Sequence, residues 1–231
     1  MRSSVIKKGT WLASFMLAVC LCAHAEVKLP AIFSDGMVMQ QQTKANLWGT
    51  ATPNKKITVT TGWNGKQYVA TADKNGAWKL SVSTPEAGGP YSITFNDGSK
   101  KTLNNILIGE LWLCSGQSNM EMSMKGFKNQ PVENANMDIL RSKNPNIRLF
   151  TVKRTSTFTP QTDVVGTWKE ATPANVRDFS ATAYYFGRLI NEILDVPVGL
   201  VVAAWGGSAP KRISNRKTGR RLSSTTACCI P

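Results

Sequence analysis

Ile106-Leu107-Ile108-Gly109-Glu110-Leu111-Trp112-Leu113-Cys114-Ser115-Gly116-Gln117-Ser118-Asn119-Met120-Glu121-Met122 is the stretch on which the reading of the chain turns. A nearly unbroken apolar run of strand length stops at Gly116, and a short turn opens into residues that favour helix. Ser118 is therefore expected on a strand-to-helix turn. Open α/β sheets bind their ligands at such turns, beyond the carboxyl ends of the strands, where the first N–H groups of the helix are free to donate. Those donors, and the positive end of the helix, suit the oxyanion formed when a serine attacks an ester. The plainer reading is a βα turn whose polar residue only caps the helix.

Downstream, the same grammar repeats. A helix is expected from Met120 to about Lys128, with Met122 and Met124 as packing residues. Asn146-Ile147-Arg148-Leu149-Phe150-Thr151-Val152 reads as a second strand. The polar segment 153–177, which includes Thr167-Trp168-Lys169 and Ala171-Thr172-Pro173, is expected to be a long loop over the sheet edge. Asp178 or Ser180 can cap a helix whose Ala183, Phe186, Gly187, Ile190, Ile193 and Leu194 recur at three- and four-residue spacing, and Pro197 ends it. Val198-Gly199-Leu200-Val201-Val202-Ala203-Ala204 then reads as a buried parallel strand, with Trp205-Gly206-Gly207-Ser208 as its turn. Only three strands of such a layer are visible, so exposed edges and apolar faces are expected in this half.

Upstream, residues 26–104 have the text of an all-β module. Ile57–Thr60, Lys66–Ala70 and Trp78–Val82 alternate apolar and polar residues. Asn64-Gly65, Asn75-Gly76 and Asp97-Gly98 are dipeptides that tight hairpin turns favour, and Ala87-Gly88-Gly89-Pro90 marks a further break. About seven short strands in a β-sandwich fit this punctuation. Trp78, in phase with Leu80 and Val82, belongs to the inner face. Trp63, beside a turn, is open to either packing or carbohydrate contact.

The two ends read differently from the middle. Residues 1–25 combine a basic start, an apolar stretch from Trp11 to Cys22 and small residues at Ala23 and Ala25, the pattern of an export signal cleaved before Glu26. The mature chain is then expected in a bacterial periplasm or outside the cell, with no membrane attachment after cleavage. Cleavage removes Cys20, Cys22 and His24, the chain's single histidine. Cys114, Cys228 and Cys229 remain, which gives neither a disulfide framework nor a spaced metal motif, and no cofactor is indicated. The net charge of +14 suggests nucleic acid until it is located: residues 1–25 contribute +3 and residues 211–231 contribute +6, leaving an ordinary +5 between them. Nucleic-acid binding is thereby disfavoured. After Pro210 periodicity stops. Residues 211–231 are expected to be a basic tail without regular structure, either a genuine tail for anionic partners or the aberrant, out-of-frame ending of a longer enzyme.

The string GQSNM after a strand resembles the first sequence block of the SGNH hydrolases, and GELWLCSGQSNMEM resembles the sialate O-acetylesterases among them. Phe33–Gln40, Leu47-Trp48-Gly49, Ala87–Tyr91, FSATAYYFGR and VPVGLVVAAWGGS extend the likeness over about residues 27–210. The resemblance implies an N-terminal all-β sandwich followed by an incomplete SGNH-type α/β/α (flavodoxin-like) domain at 105–210. It makes Ser118 the nucleophile and its backbone N–H an oxyanion donor, with a second N–H from Gly206 or Gly207, which of the two being undetermined. It implies an O-acetylated sialic acid or related acetylated glycan as substrate. The family's further asparagine donor and its Asp-x-x-His block are not present in these residues, so Ser118 is expected to lack its imidazole and the chain to be a very poor esterase alone. An acetyl-polysaccharide (acetylxylan-type) esterase and a non-catalytic carbohydrate-binding remnant are the alternative readings.

Overall fold

The computed structural model describes residues 26–156, 159, 161–207 and, as backbone, 228–230. The expected export signal and most of the expected tail lie outside these residues. What is described is mostly β-sheet with few helices.

Seven strands come first: β1 (Val38–Gln40), β2 (Lys44–Thr50), β3 (Lys56–Thr61), β4 (Gln67–Thr71), β5 (Ala77–Ser83), β6 (Gly88–Asn96) and β7 (Lys100–Gly116). They form two sheets, because among these strands β2 pairs with β5 alone while β4, β3, β6 and β7 run side by side. Leu47, Trp78 and Val82 from the first sheet meet Ile57, Val59, Ile93, Phe95 and Ile106 from the second in one buried cluster. Alternation explains it: along β3 the buried residues are every second one, Ile57, Val59 and Thr61. The turns divide. Asn64-Gly65 joins paired β3 and β4, and Asp97-Gly98 joins paired β6 and β7. Asn75-Gly76 does not close a hairpin, since β4 and β5 belong to different sheets and the chain crosses between them there. Gly88–Pro90, read as a break, lies inside the bulged start of β6. Trp78 is buried, its ring 5.9 Å from that of Phe95. Trp63 stands edge-on to Tyr91 and donates its indole N–H to the Ser83 carbonyl at 3.1 Å, so it packs within the module.

β7 is seventeen residues long and serves both regions. Residues 100–108 pair antiparallel with β6. Residues 110–116 pair parallel with β10 (Val198–Ala204), which in turn pairs parallel with β8 (Asn144–Thr151). β9 (Trp168–Ala171) closes the edge antiparallel to β8. The helices are α1 (Ser118–Glu121), α2 (Ala135–Leu140), α3 (Pro173–Arg177) and α4 (Ala181–Leu194). Cys114, Ile147, Leu149, Leu200 and Val202 face a second buried cluster with Met120, Val176 and Tyr184.

Several expectations need correction. The helix from Met120 to Lys128 is only the four residues of α1. Its continuation is taken over by tertiary partners: the Met124 N–H donates to the Phe179 carbonyl at 2.9 Å and Gly126 turns the chain at φ +76°. Segment 153–177 is not loop throughout, for it contains β9 and α3. Ser180, not Asp178, is the α4 cap, accepting from the Ala183 N–H at 3.2 Å. The buried stripe of α4 is Ala181, Ala183, Tyr184 and Gly187, while Ile193 and Leu194 are exposed. The stripe ends at Gly187, where a Cβ would stand 2.5 Å from the Leu200 side chain; the last turn runs past that contact. Finally, Cys228–Ile230 of the tail forms a short strand, β11, antiparallel to Leu113–Ser115. An unpaired stretch of β7 backbone is a template for such an addition.

Candidate active site

Register builds the site. In the β7–β10 ladder Ala203 lies opposite Ser115 and Ala204 opposite Gly116, so both strands end level. The Trp205 N–H donates to the Gly116 carbonyl at 3.2 Å, which zips the two following turns together. Ser118, the first residue of α1, is exposed on one turn, and Gly206 and Gly207 form the other. A Cβ added to Gly206 would lie 3.5 Å from Ser118 Oγ. Two of the sequence-predicted site residues thus come together at the carboxyl edge of the parallel strands. Gly207, at φ +71° with open space around its Cα, occupies the lip of the same turn.

The turn carrying Ser118 is held from below. Met120 is fully buried and accepts a contact from the Ser180 hydroxyl at 3.4 Å, and Thr182 Oγ1 donates to the Asn119 carbonyl at 2.9 Å. The start of α4 therefore buttresses α1, which is too short to hold itself.

Glu121 is the residue that sequence reasoning missed. Its carboxylate accepts the Gly206 N–H and pairs with Arg154, so it ties α1, the turn after β10 and the segment after β8 into one cluster. The available signal was Ser118-x-x-Glu121, the spacing of a capping box, which predicts a carboxylate turned back on its own helix. Here Gln117 is the cap residue and the carboxylate reaches across the sheet edge instead. A cavity of about 110 Å³, lined by Met120, Glu121, Thr151, Arg154, Asp178, Ser180, Val202 and Ala204 among others, opens beside this cluster.

Among the described residues no side chain hydrogen-bonds to Ser118 Oγ, and the chain's one histidine, His24, lies outside them. The nearby carboxylates are committed elsewhere. Glu121 serves Arg154 and Gly206. Asp178 meets Lys125 at 2.6 Å, and the hydrogen bond from that ammonium holds its carboxyl below the usual range, which weakens it as a base. The described residues contain no group of three or more His, Cys, Asp or Glu side chains placed to hold a metal ion.

No family model matches the chain. It is 27% identical over 222 residues to the sialate O-acetylesterase of Homo sapiens, covering 88% of this chain and 40% of that protein. The sialate O-acetylesterase of Mus musculus is 28% identical over 214 residues, with 84% of this chain and 38% of the relative covered. Among solved structures, a carbohydrate acetylesterase from Xanthomonas citri superposes with a TM-score of 0.73 at 33% identity, over 79% of this chain and 41% of that one. The likeness in sequence to the sialate O-acetylesterases therefore extends over 84–88% of this chain, and the likeness in fold is to a carbohydrate acetylesterase. The chain spans about two fifths of the length of these proteins.

Proposed function

We propose that this chain, similar in sequence to sialate O-acetylesterases and in fold to a carbohydrate acetylesterase, carries the nucleophile side of a serine carbohydrate esterase. The substrate class is an O-acetylated sugar, with sialic acid the first choice. In this reading residues 26–104 are a β-sandwich and residues from 105 onward the opening part of an SGNH-type α/β/α layer. Residues 1–25 direct the chain to export.

The observation that carries the reading is the level ending of β7 and β10, which sets Ser118 against the Gly206 turn. Ser118 Oγ would attack the acetyl carbonyl. The carbonyl oxygen, gaining negative charge, would be received by the Ser118 N–H and by an N–H of the facing turn. The Gly206 N–H is already engaged by Glu121, which favours Gly207 as the second donor. Proton transfer from Ser118 needs an acceptor that these residues do not supply, since both local carboxylates are neutralised by cations. Loss of a triad member removes several orders of magnitude in rate.

The test has two arms. The chain as it stands should release acetate from an acetylated sugar at a rate that Ser118→Ala does not change. Residues 26–207 fused to the remaining C-terminal portion of the Xanthomonas citri carbohydrate acetylesterase should gain on the order of 10³-fold or more, and Ser118→Ala should abolish the gain. Brisk, Ser118-dependent turnover by the unfused chain overturns the incomplete-centre part; a folded but inert fusion overturns the esterase reading.

A further inference from the structure

The short tail strand brings two thiol-bearing residues into register. β11 runs antiparallel to β7 with Cys229 opposite Cys114, Cys228 opposite Ser115 and Ile230 opposite Leu113. Residues directly opposite in an antiparallel ladder share a face, and their Cα atoms stand about 4.5 or 5.5 Å apart according to whether the pair exchanges hydrogen bonds. Both spacings fall within the ~4.4–6.8 Å that a disulfide spans. Spacing along the chain indicates no such bond, since the two positions are far apart in sequence; the ladder supplies the pairing.

The same ladder argues against the competing pairings. Successive residues of a strand occupy opposite faces, so Cys228 and Cys229 cannot join each other while the strand holds. Cys228 is in phase with Ser115 and out of phase with Cys114. Among the described residues outside β11, Cys114 is the only cysteine. It is fully buried in the cluster that includes Met120, Val176 and Tyr184, so a bond formed there is shielded from external thiols. A disulfide at this place would be slow to reduce once made.

We propose that Cys114 and Cys229 form a cross-strand disulfide that fastens the tail to β7, two residues before the Gly116 turn. The oxidant is an external disulfide of the glutathione or oxidoreductase class. The Cys229 thiolate attacks it, giving a mixed disulfide and releasing one external thiol; the Cys114 thiolate then attacks the Cys229 sulfur and displaces the second. The two protein thiols lose two electrons and two protons, all of which leave on the two external thiols. A three-residue pairing thereby becomes a covalent clamp that keeps this stretch of the β7 edge closed to other strands. Export, as proposed above, delivers the chain to surroundings in which such a bond persists.

The test is a peptide map of the full chain after incubation with oxidised glutathione, alkylation in denaturant without reduction, and digestion with trypsin. Cys114 is then carried by residues 102–125, and Cys228 and Cys229 by residues 222–231. A product joining these two peptides should dominate and should fall apart on reduction. It should survive Cys228→Ser and vanish in Cys229→Ser. Amide exchange at Leu113–Ser115 in the oxidised native protein should be at least tenfold slower than in Cys229→Ser. Four results overturn the clamp: Cys114 alkylated throughout, a bond between Cys228 and Cys229, a link from Cys114 to Cys20, Cys22 or Cys228, or equal exchange in the two proteins. None of them bears on the esterase reading, which is decided by acetate release from the fusion protein.

Discussion

The two regions joined by β7 solve the problem of burial differently. Before β7 the ladders are antiparallel apart from β1–β7, two sheets close over a single cluster, and among the described residues of this region only Trp48 and Val69 stand out as large exposed apolar side chains. After it, parallel strands β7, β10 and β8 are far apart in sequence, and Leu113, Met137, Leu140, Leu189, Ile193, Leu194 and Trp205 are all exposed among the described residues. A parallel sheet is stable when both faces are covered. The lesson is that the region bearing Ser118 leans on the region that does not.

That dependence can be broken by substitution. The largest effect should come from Phe95→Ala, which empties the centre of the first cluster and should cost about 3–5 kcal/mol. Denaturant unfolding followed by tryptophan fluorescence and far-ultraviolet dichroism should show both regions shifting together. A shift confined to one of two separate transitions would mean that β7 does not couple them.

Arg148→Ala should come next. Arg148 lies almost wholly buried on β8, donating to the Pro145 carbonyl at 2.8 Å and to Asn105 Oδ1 at 3.1 Å, with Glu170 at 3.4 Å. Asn105 sits within β7 at φ +57°, in the irregular stretch of the β6–β7 ladder between Leu103 and Ile106. Burial lowers the Arg148 pKa and the Glu170 carboxylate opposes that shift. Removing the guanidinium leaves acceptors unsatisfied at the junction, and about 1–3 kcal/mol should be lost, read from the same unfolding curves. Arg148→Lys should recover only part of this, because one ammonium cannot span three partners.

The smallest effect belongs to the second region alone. Asp138 on α2 accepts from Arg188 at 2.8 Å and from the Tyr185 hydroxyl at 2.7 Å, both on α4. The Arg188 hydrogen bond, then that of Tyr185, holds its carboxyl below the ordinary range. Tyr185 in turn is pushed up to about 12 by burial and by Asp138. A depressed carboxyl contributes stability that is present above its unfolded value of 3.8 and lost as pH falls through the lower folded value. Below about pH 4 the α2–α4 contact should therefore weaken, by no more than about 1 kcal/mol for a partly exposed pair. Asp138→Asn should flatten that acid dependence in amide exchange across α2 and leave β3 and β6 unaffected.

The parts legible in the sequence are those whose signal is local. Ile57–Thr60 alternates, Ser180 precedes a helical stripe, and Val198–Ala204 is apolar from end to end. β9 escaped because its order comes from elsewhere: Trp168 and Ala171 are buried with two exposed residues between them, a spacing without period two, and the Trp168 indole N–H is held by the Ile32 carbonyl at 2.8 Å. α3 did leave a trace. Thr172-Pro173 is a cap residue followed by a first-turn proline, and Thr172 accepts from the Asn175 N–H at 3.3 Å. Ser118 and the Gly206 turn were readable as separate turns, but their meeting depends on the β7–β10 register, which pairs residues 88 apart in sequence, such as Glu110 and Val198. Glu121 and Arg154 were hidden for the same reason.

One strand shared by two sheets also constrains what mutation can do to the gene. Side chains alternate along β7, so inserting or deleting a single codon between Ile106 and Trp112 would turn every later side chain to the opposite face. Cys114 would leave the helix-covered side and the serine would reach the sheet edge one residue out of step. Neither sheet could correct the slip without breaking its own ladder. The count of residues in this segment, as much as their identity, is therefore fixed from both ends.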